Sequence, residues 1–219
     1  DASDGADRAR VAELRAHLSD VDVDGARADH GGVPPDLRQQ VLARVDPARV
    51  LHQVGEQVEL GPGERVTSVL VGNLKKQLGA KYIMMVTNRG TIKKTKLEDF
   101  ENVRRSGLIA IKLNDGDNLQ WVRTSTGKDD VMLVTSNGMS IRFTEDDVRA
   151  MGRVAAGVRG IKLKGDDEVI GMEVMTQEAL KAGRQLMIVM GNGFGKRTDV
   201  EEYGVQGRGG SGIKTAQIT

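Results

Sequence analysis

Three stretches of the chain repeat one order of apolar and polar positions. Each starts with an apolar run: YIMMVT from Tyr82, VMLVT from Val131, LMIVM from Leu186. A turn with Gly90, Gly138 or Gly193 follows, then a basic segment carrying Lys93 and Lys94, Arg142, or Lys196 and Arg197. An acidic pair comes next (Glu98-Asp99, Asp146-Asp147, Glu201-Glu202), and then one apolar anchor, Phe100, Val148 or Tyr203. Each unit closes on a second basic, Gly-bearing loop: RRSGLIAIKL, GRVAAGVRGIKL or GRGGSGIKTAQI. The turn glycines are 48 and 55 residues apart, and the loop glycines Gly107, Gly157 and Gly212 are 50 and 55 apart.

Short, β-branched-rich apolar runs suit strands buried on both faces. TNRG and TSNG are hairpin-turn chemistry, because Asn and Gly tolerate positive φ. Between units lie further apolar stretches, DNLQWVRT and DEVIGMEV, and GERVTSVL at 63–70 is the same element from a preceding unit. Four strands per period of about 50 residues is the pattern of a propeller-like array, in which each blade buries its faces only against neighbours. The expected fold is all-β: about three four-stranded blades plus a partial one.

Composition changes the picture mainly by dividing the chain. Residues 1–60 hold 7 Arg, no Lys and 12 Asp plus Glu, while residues 61–219 hold the other 25 basic and 19 acidic groups, so the overall +1 conceals a basic repeat region. Residues 1–60 also lack Ile, Lys, Met, Phe, Tyr, Trp, Asn and Thr, yet contain all three histidines. We place a boundary there: residues 1–58 as an atypical segment, 59–219 as the repeat domain. RARVAELRAHL sets Val11, Leu14 and Leu18 on one helical face, and PPDLRQQVLARVD does the same for Leu37, Val41 and Val45. This segment is read as helical or irregular. Its narrow alphabet fits either a divergent or fused segment or a stretch read out of frame. The chain has no Cys, no apolar run long enough to span a membrane and no signal-peptide pattern, which suits a cytoplasmic protein.

The ordered motifs VMLVTSNGMSIRF, VRAMGRVAAGVRGIKL, GNGFGKRT and EYGVQGRGGSGIKT resemble the C-terminal domain of the A subunit of bacterial DNA gyrase and of its topoisomerase IV relative, over about residues 60–219. The resemblance implies a β-pinwheel, a propeller variant whose neighbouring blades exchange a strand, with duplex DNA bent around a basic rim. It implies as partners double-stranded DNA, the ATPase B subunit, plus the rest of the A subunit of the topoisomerase, in ATP-dependent supercoiling near the nucleoid. ATP and Mg²⁺ would belong to those other parts, with no cofactor in this chain. The family's DNA-wrapping box resembles Gln206, Gly207, Arg208, Gly209, Gly210, Ser211 and Gly212, with two of its basic residues missing. This loop is therefore a degenerate, blade-equivalent copy.

The basic residues of the repeats form the candidate rim: Lys93, Lys94, Arg104, Arg105, Arg142, Arg153, Arg159, Lys196, Arg197, Arg208 and Lys214. One cation at an equivalent place in every blade makes a stripe that a curved duplex can follow. The loop glycines have a structural role in a tight path between blades, and in the third copy exposed amides and Arg208 can also meet phosphate. The acidic pairs recur in all three units, so they read as solvated corners rather than as active sites. GNGFGKRT has three residues between Gly191 and Gly195 where a phosphate loop needs four, and Arg197 follows its lysine, so nucleotide binding is rejected. Tyr82 and Tyr203 follow Lys81 and Glu202, not the arginine that precedes a topoisomerase cleavage tyrosine, and read as strand and anchor positions. Trp121 aligns with Met172 and reads as core. The alternative is a propeller-type protein-interaction scaffold, which a neutral or apolar rim would favour.

Overall fold

The computed structural model describes residues 8–11 (backbone only), 66–70, 79–101 and 108–217. The elements below lie in the compact unit formed by residues 1–13 and 73–219. Of the other unit, residues 14–72, only 66–70 are described, and they hold no regular secondary structure. That stretch is the described part of GERVTSVL, where the sequence pattern favours a strand.

Two four-stranded antiparallel blades and one hairpin account for most of the strand structure. In the first repeat, β2 (Tyr82–Thr87) and β3 (Thr91–Lys96) form a hairpin, and β5 (Leu119–Ser125) pairs with the outer edge of β2. In the second, β6 (Asp130–Thr135), β7 (Met139–Thr144) and β9 (Val169–Met175) repeat this arrangement. The fourth strand of each blade comes from the following repeat. β8 (Val158–Arg159) pairs with β3 to give the order β5-β2-β3-β8, and β12 (Ile213–Lys214) pairs with β7 to give β9-β6-β7-β12. This exchange is the pinwheel connection.

The third repeat contributes a two-stranded hairpin, β10 (Gln185–Val189) and β11 (Gly195–Asp199), after the short helix α1 (Gln177–Lys181). The remaining pair is β4 (Leu108–Lys112) with β1 (Arg8–Val11). Arg8–Val11 is thus a strand, although its apolar spacing suits a helix: partner pairing prevails over local periodicity. The other helical expectations in residues 1–58 lie outside the described residues.

The core explains why the apolar runs are continuous rather than alternating. Val131 and Leu133 of β6 pack with Met84, Val86 and Ile92 of the first blade, together with Ile141, Phe143 and Met172. Met132 and Val134, on the opposite face of the same strand, pack with Val200 and Tyr203 of the third repeat. A strand between two blades needs apolar side chains on both faces. Trp121 is half-buried against the first of these clusters, but the register corrects its alignment: Trp121 and Gly171 pair with the equivalent Val86 and Val134, so Met172 is the counterpart of Val122. β10 departs from the expectation of burial on both faces: Leu186 and Ile188 turn inward, while Met187 and Val189 are 61% and 55% exposed. Among the described residues only one face of this hairpin has a neighbour.

A 3-10 turn follows the second strand of each hairpin, at Leu97–Phe100, Glu145–Asp147 and Val200–Glu202. The anchors Phe100, Val148 and Tyr203 are buried, and all three acidic pairs stand in solvent. No helix among the described residues is long and apolar enough to cross a membrane.

Candidate nucleic-acid interface

The basic residues divide into pins between blades and cations on the third hairpin and the exchanged loops. Lys94 and Arg142 occupy the same register, opposite Met84 and Met132 of their hairpins. Each reaches the 3-10 turn of the next blade. The Lys94 ammonium donates to the Glu145 carbonyl at 2.7 Å and lies 3.7 Å from the Glu145 carboxylate. The Arg142 guanidinium donates to the carbonyls of Val200 (2.9 Å) and Tyr203 (3.2 Å) and pairs with Asp130 at 2.7 Å. Their backbones act in parallel, as the Lys94 carbonyl accepts from the Met151 amide and the Arg142 carbonyl from the Gln206 amide. Glu145, itself buried, accepts from the Ser125 hydroxyl and the Gly127 and Asp129 amides, so every charge in this cluster is answered.

Lys93 is wholly buried, and its ammonium donates to the Ala110 carbonyl of β4 at 2.7 Å and to the Arg153 carbonyl. Burial, with the nearby Arg153 charge acting in the same direction, lowers its pKa to about 8 against the opposing pull of Asp99. The expectation of an exposed rim position is therefore corrected for Lys93, Lys94 and Arg142. An equivalent cation in each unit follows equally from an equivalent blade junction to be pinned. Arg197 sits opposite Met187 in that same register and is exposed, as is Lys196.

The exchanged loops stack on one another. The Lys112 amide donates to the Ala155 carbonyl, and one junction further on the Lys162 amide donates to the Gly210 carbonyl. The Gly209 amide closes onto the Gly160 carbonyl. The result is a hydrogen-bonded ridge running from repeat to repeat. Gly212 makes the close approach work: its φ is +71°, and a Cβ there would lie 2.2 Å from the Ser140 carbonyl oxygen. Gly157 does the same against Ile92, with a 2.7 Å approach and φ +103°. Gly209 is also left-handed, whereas Gly207 and Gly210 are not.

Arg159 and Lys214 are exposed on this ridge, with Arg153 and Arg208 half-buried in it. Arg208 is partly committed, donating to the carbonyls of Asp147 (3.0 Å) and Arg159 (2.8 Å), which fixes its guanidinium at the junction. Gln206 and Ser211 are half-buried beside it. Arg104 and Arg105 lie outside the described residues. Sequence reasoning missed Arg89, Lys112, Lys162 and Lys164, all exposed. The signal was present for two of them, since Lys112 and Lys162 stand five residues after their loop glycines in the repeated IKL.

Strand exchange between hairpin blades of about 50 residues defines a propeller-class domain of the pinwheel type. The defining pattern of the family described as the DNA gyrase C-terminal domain, beta-propeller, matches residues 81–126, 129–174 and 186–219, and the chain belongs to that family. The gyrase A protein of Salmonella typhimurium LT2 is 41% identical over 160 residues, which are 73% of this chain and 17% of that protein. The chain therefore spans about a sixth of that relative's length. Among solved structures, the C-terminal domain of DNA topoisomerase IV superposes with a TM-score of 0.56 at 29% identity, covering 61% of this chain and 40% of that one. The DNA gyrase A C-terminal domain gives 0.53 at 30% identity, covering 60% and 42%.

Proposed function

We propose that this pinwheel unit binds duplex DNA along the stacked exchanged loops and holds it in a bend, as the C-terminal part of the A subunit of a type II topoisomerase. The observation that carries this reading is the ridge itself. A continuous hydrogen-bonded backbone joins successive repeats, with Arg159, Lys214, Lys112 and Lys162 exposed along it and Arg153 and Arg208 half-buried in it. Cations spaced along a curved support match a phosphate backbone and give binding that depends on charge more than on sequence. Bending costs several kcal/mol for roughly 40–90° over a short site, so contacts spread over several blades must offset it. The ATP-dependent supercoiling, the cleavage machinery and the ATPase B subunit belong to the whole enzyme in this reading. The chain's own task is to hold the duplex.

The test is duplex affinity against salt. For about 6–10 neutralised phosphates, affinity should fall by roughly 10³–10⁵ between 50 and 200 mM salt. Binding that is flat in salt, or that prefers single strands, contradicts the reading.

A further inference from the structure

The geometry points to a dedicated phosphodiester seat at the junction of the first two described blades, formed by Arg89, Arg159 and Lys162. These residues line a cleft of about 520 Å³ between the β2–β3 turn and the loop that carries β8. Thr91 and Asn114 supply polar groups, and no Asp or Glu lines the cleft, in a chain whose charges nearly balance. A volume of this size lies in the range that accepts a small ligand, so a phosphodiester with its flanking sugars fits.

The cations are available. Among the described residues, Arg159 and Lys162 make no side-chain hydrogen bond or ion pair, and both are exposed. Arg89 is held in place, its guanidinium donating to the Asp115 carbonyl at 3.2 Å and its amide to the Asp117 carboxylate, which also accepts from the Asn118 amide. The Asp117 carboxylate is thus occupied by backbone donors. A guanidinium held by one terminal nitrogen beside two exposed cations suits an anion with several oxygens.

The next junction has the same backbone and a different charge. Counting from the turn glycines, Asn137 stands for Arg89; counting from the loop glycines, Lys214 stands for Arg159 and Gln217 for Lys162. Three cations become one. The scaffold needs neither arrangement, because backbone amides and the Arg208 guanidinium join the loops, and the Arg159 and Lys162 side chains make none of those hydrogen bonds. The cleft therefore marks one blade junction as a stronger phosphate contact than its neighbour, which would fix the register of the duplex on the ridge. This inference rests on the duplex-binding reading.

The experiment compares the full chain with its Arg159→Gln/Lys162→Gln variant, in duplex titrations from about 50 to 200 mM salt. Lys128→Gln serves as the control: Lys128 follows β5, whose Ser125 pairs with Tyr82, at the opposite end of the strands from the Arg89 turn. The cleft variant should bind about tenfold more weakly at low salt, with a slope shallower by about 0.9 per phosphate lost. The control should match the parent, and thermal unfolding should be unchanged in both. An unchanged slope in the cleft variant overturns the seat while the duplex reading stands. A parent chain that does not bind duplex overturns that reading itself. A third arm adds inorganic phosphate: stabilisation by phosphate that the cleft variant loses, with duplex binding intact, makes the cleft a free-anion site and overturns the proposal.

Discussion

Arg142→Met separates a pin between blades from a surface cation. The Arg142 and Asp130 side chains are only 11% and 7% exposed, and the guanidinium also caps two carbonyls of the third repeat. Removing it leaves the Asp130 carboxylate buried with its charge unanswered. Breaking a buried pair from one side costs about 3–5 kcal/mol, whereas a surface substitution stays within about 0.5 kcal/mol. In a chain of this size each kcal/mol moves Tm by roughly 2–4 °C, so the expected loss is about 10 °C. The loss should centre on the junction of the second and third repeats. Hydrogen exchange at the Gln206 amide, bonded to the Arg142 carbonyl, reports it directly. Arg142→Met with Asp130→Leu should recover part of the loss, since no charge is then stranded. The reasoning is refuted if Arg142→Met melts like the parent and binds duplex more weakly, which is the behaviour of an exposed rim cation.

Two further outcomes follow from the same packing. Gly212→Ala forces a Cβ against the Ser140 carbonyl at a left-handed φ and should cost about 1–3 kcal/mol, while Gly207→Ala, which opens onto free space, should melt within about 0.5 kcal/mol of the parent. Equal melting of the two would show that the loop does not depend on the close approach. Lys93 gives a pH dependence. Its folded pKa of about 8 lies below the ordinary 10.5, so unfolding takes up a proton between those values. Stability from this group is at its minimum below pH 8 and rises with pH across that window. Lys93→Met should remove that rise, as read from thermal unfolding at intervals between about pH 7 and 10. A parent and variant that track each other across the window would show that the buried amine keeps an ordinary pKa.

The blade architecture was legible because a repeated apolar run, turn and anchor leave few ways to bury a strand. VMLVT announced two covered faces, and β6 has them. The same pattern misleads for LMIVM, since sequence reports apolarity and not whether a neighbour is present to cover it. Arg8–Val11 escapes a sequence reading for a related reason: a strand chosen by its partner β4 carries little local signal of its own. The basic positions Lys93, Lys94 and Arg142 look like rim cations because recurrence records any constraint repeated per blade, and pinning one blade to the next is such a constraint. A lysine whose ammonium reaches a carbonyl in the next repeat has the same letter as one that meets water. Arg89 goes unnoticed for the opposite reason. Its counterpart Asn137 carries no charge, and only the fold brings a hairpin turn beside a loop about 70 residues further on.

The central proposal, that the ridge holds duplex DNA in a bend, to which a chiral support would give one hand, is tested most directly by topology. Closed circular DNA is relaxed by a nicking-closing enzyme in the presence of rising amounts of the full chain, and its linking number is then read after the protein is removed. The account predicts a shift of constant sign that grows with bound chain and disappears at high salt. Tight binding with no change in linking number would contradict it.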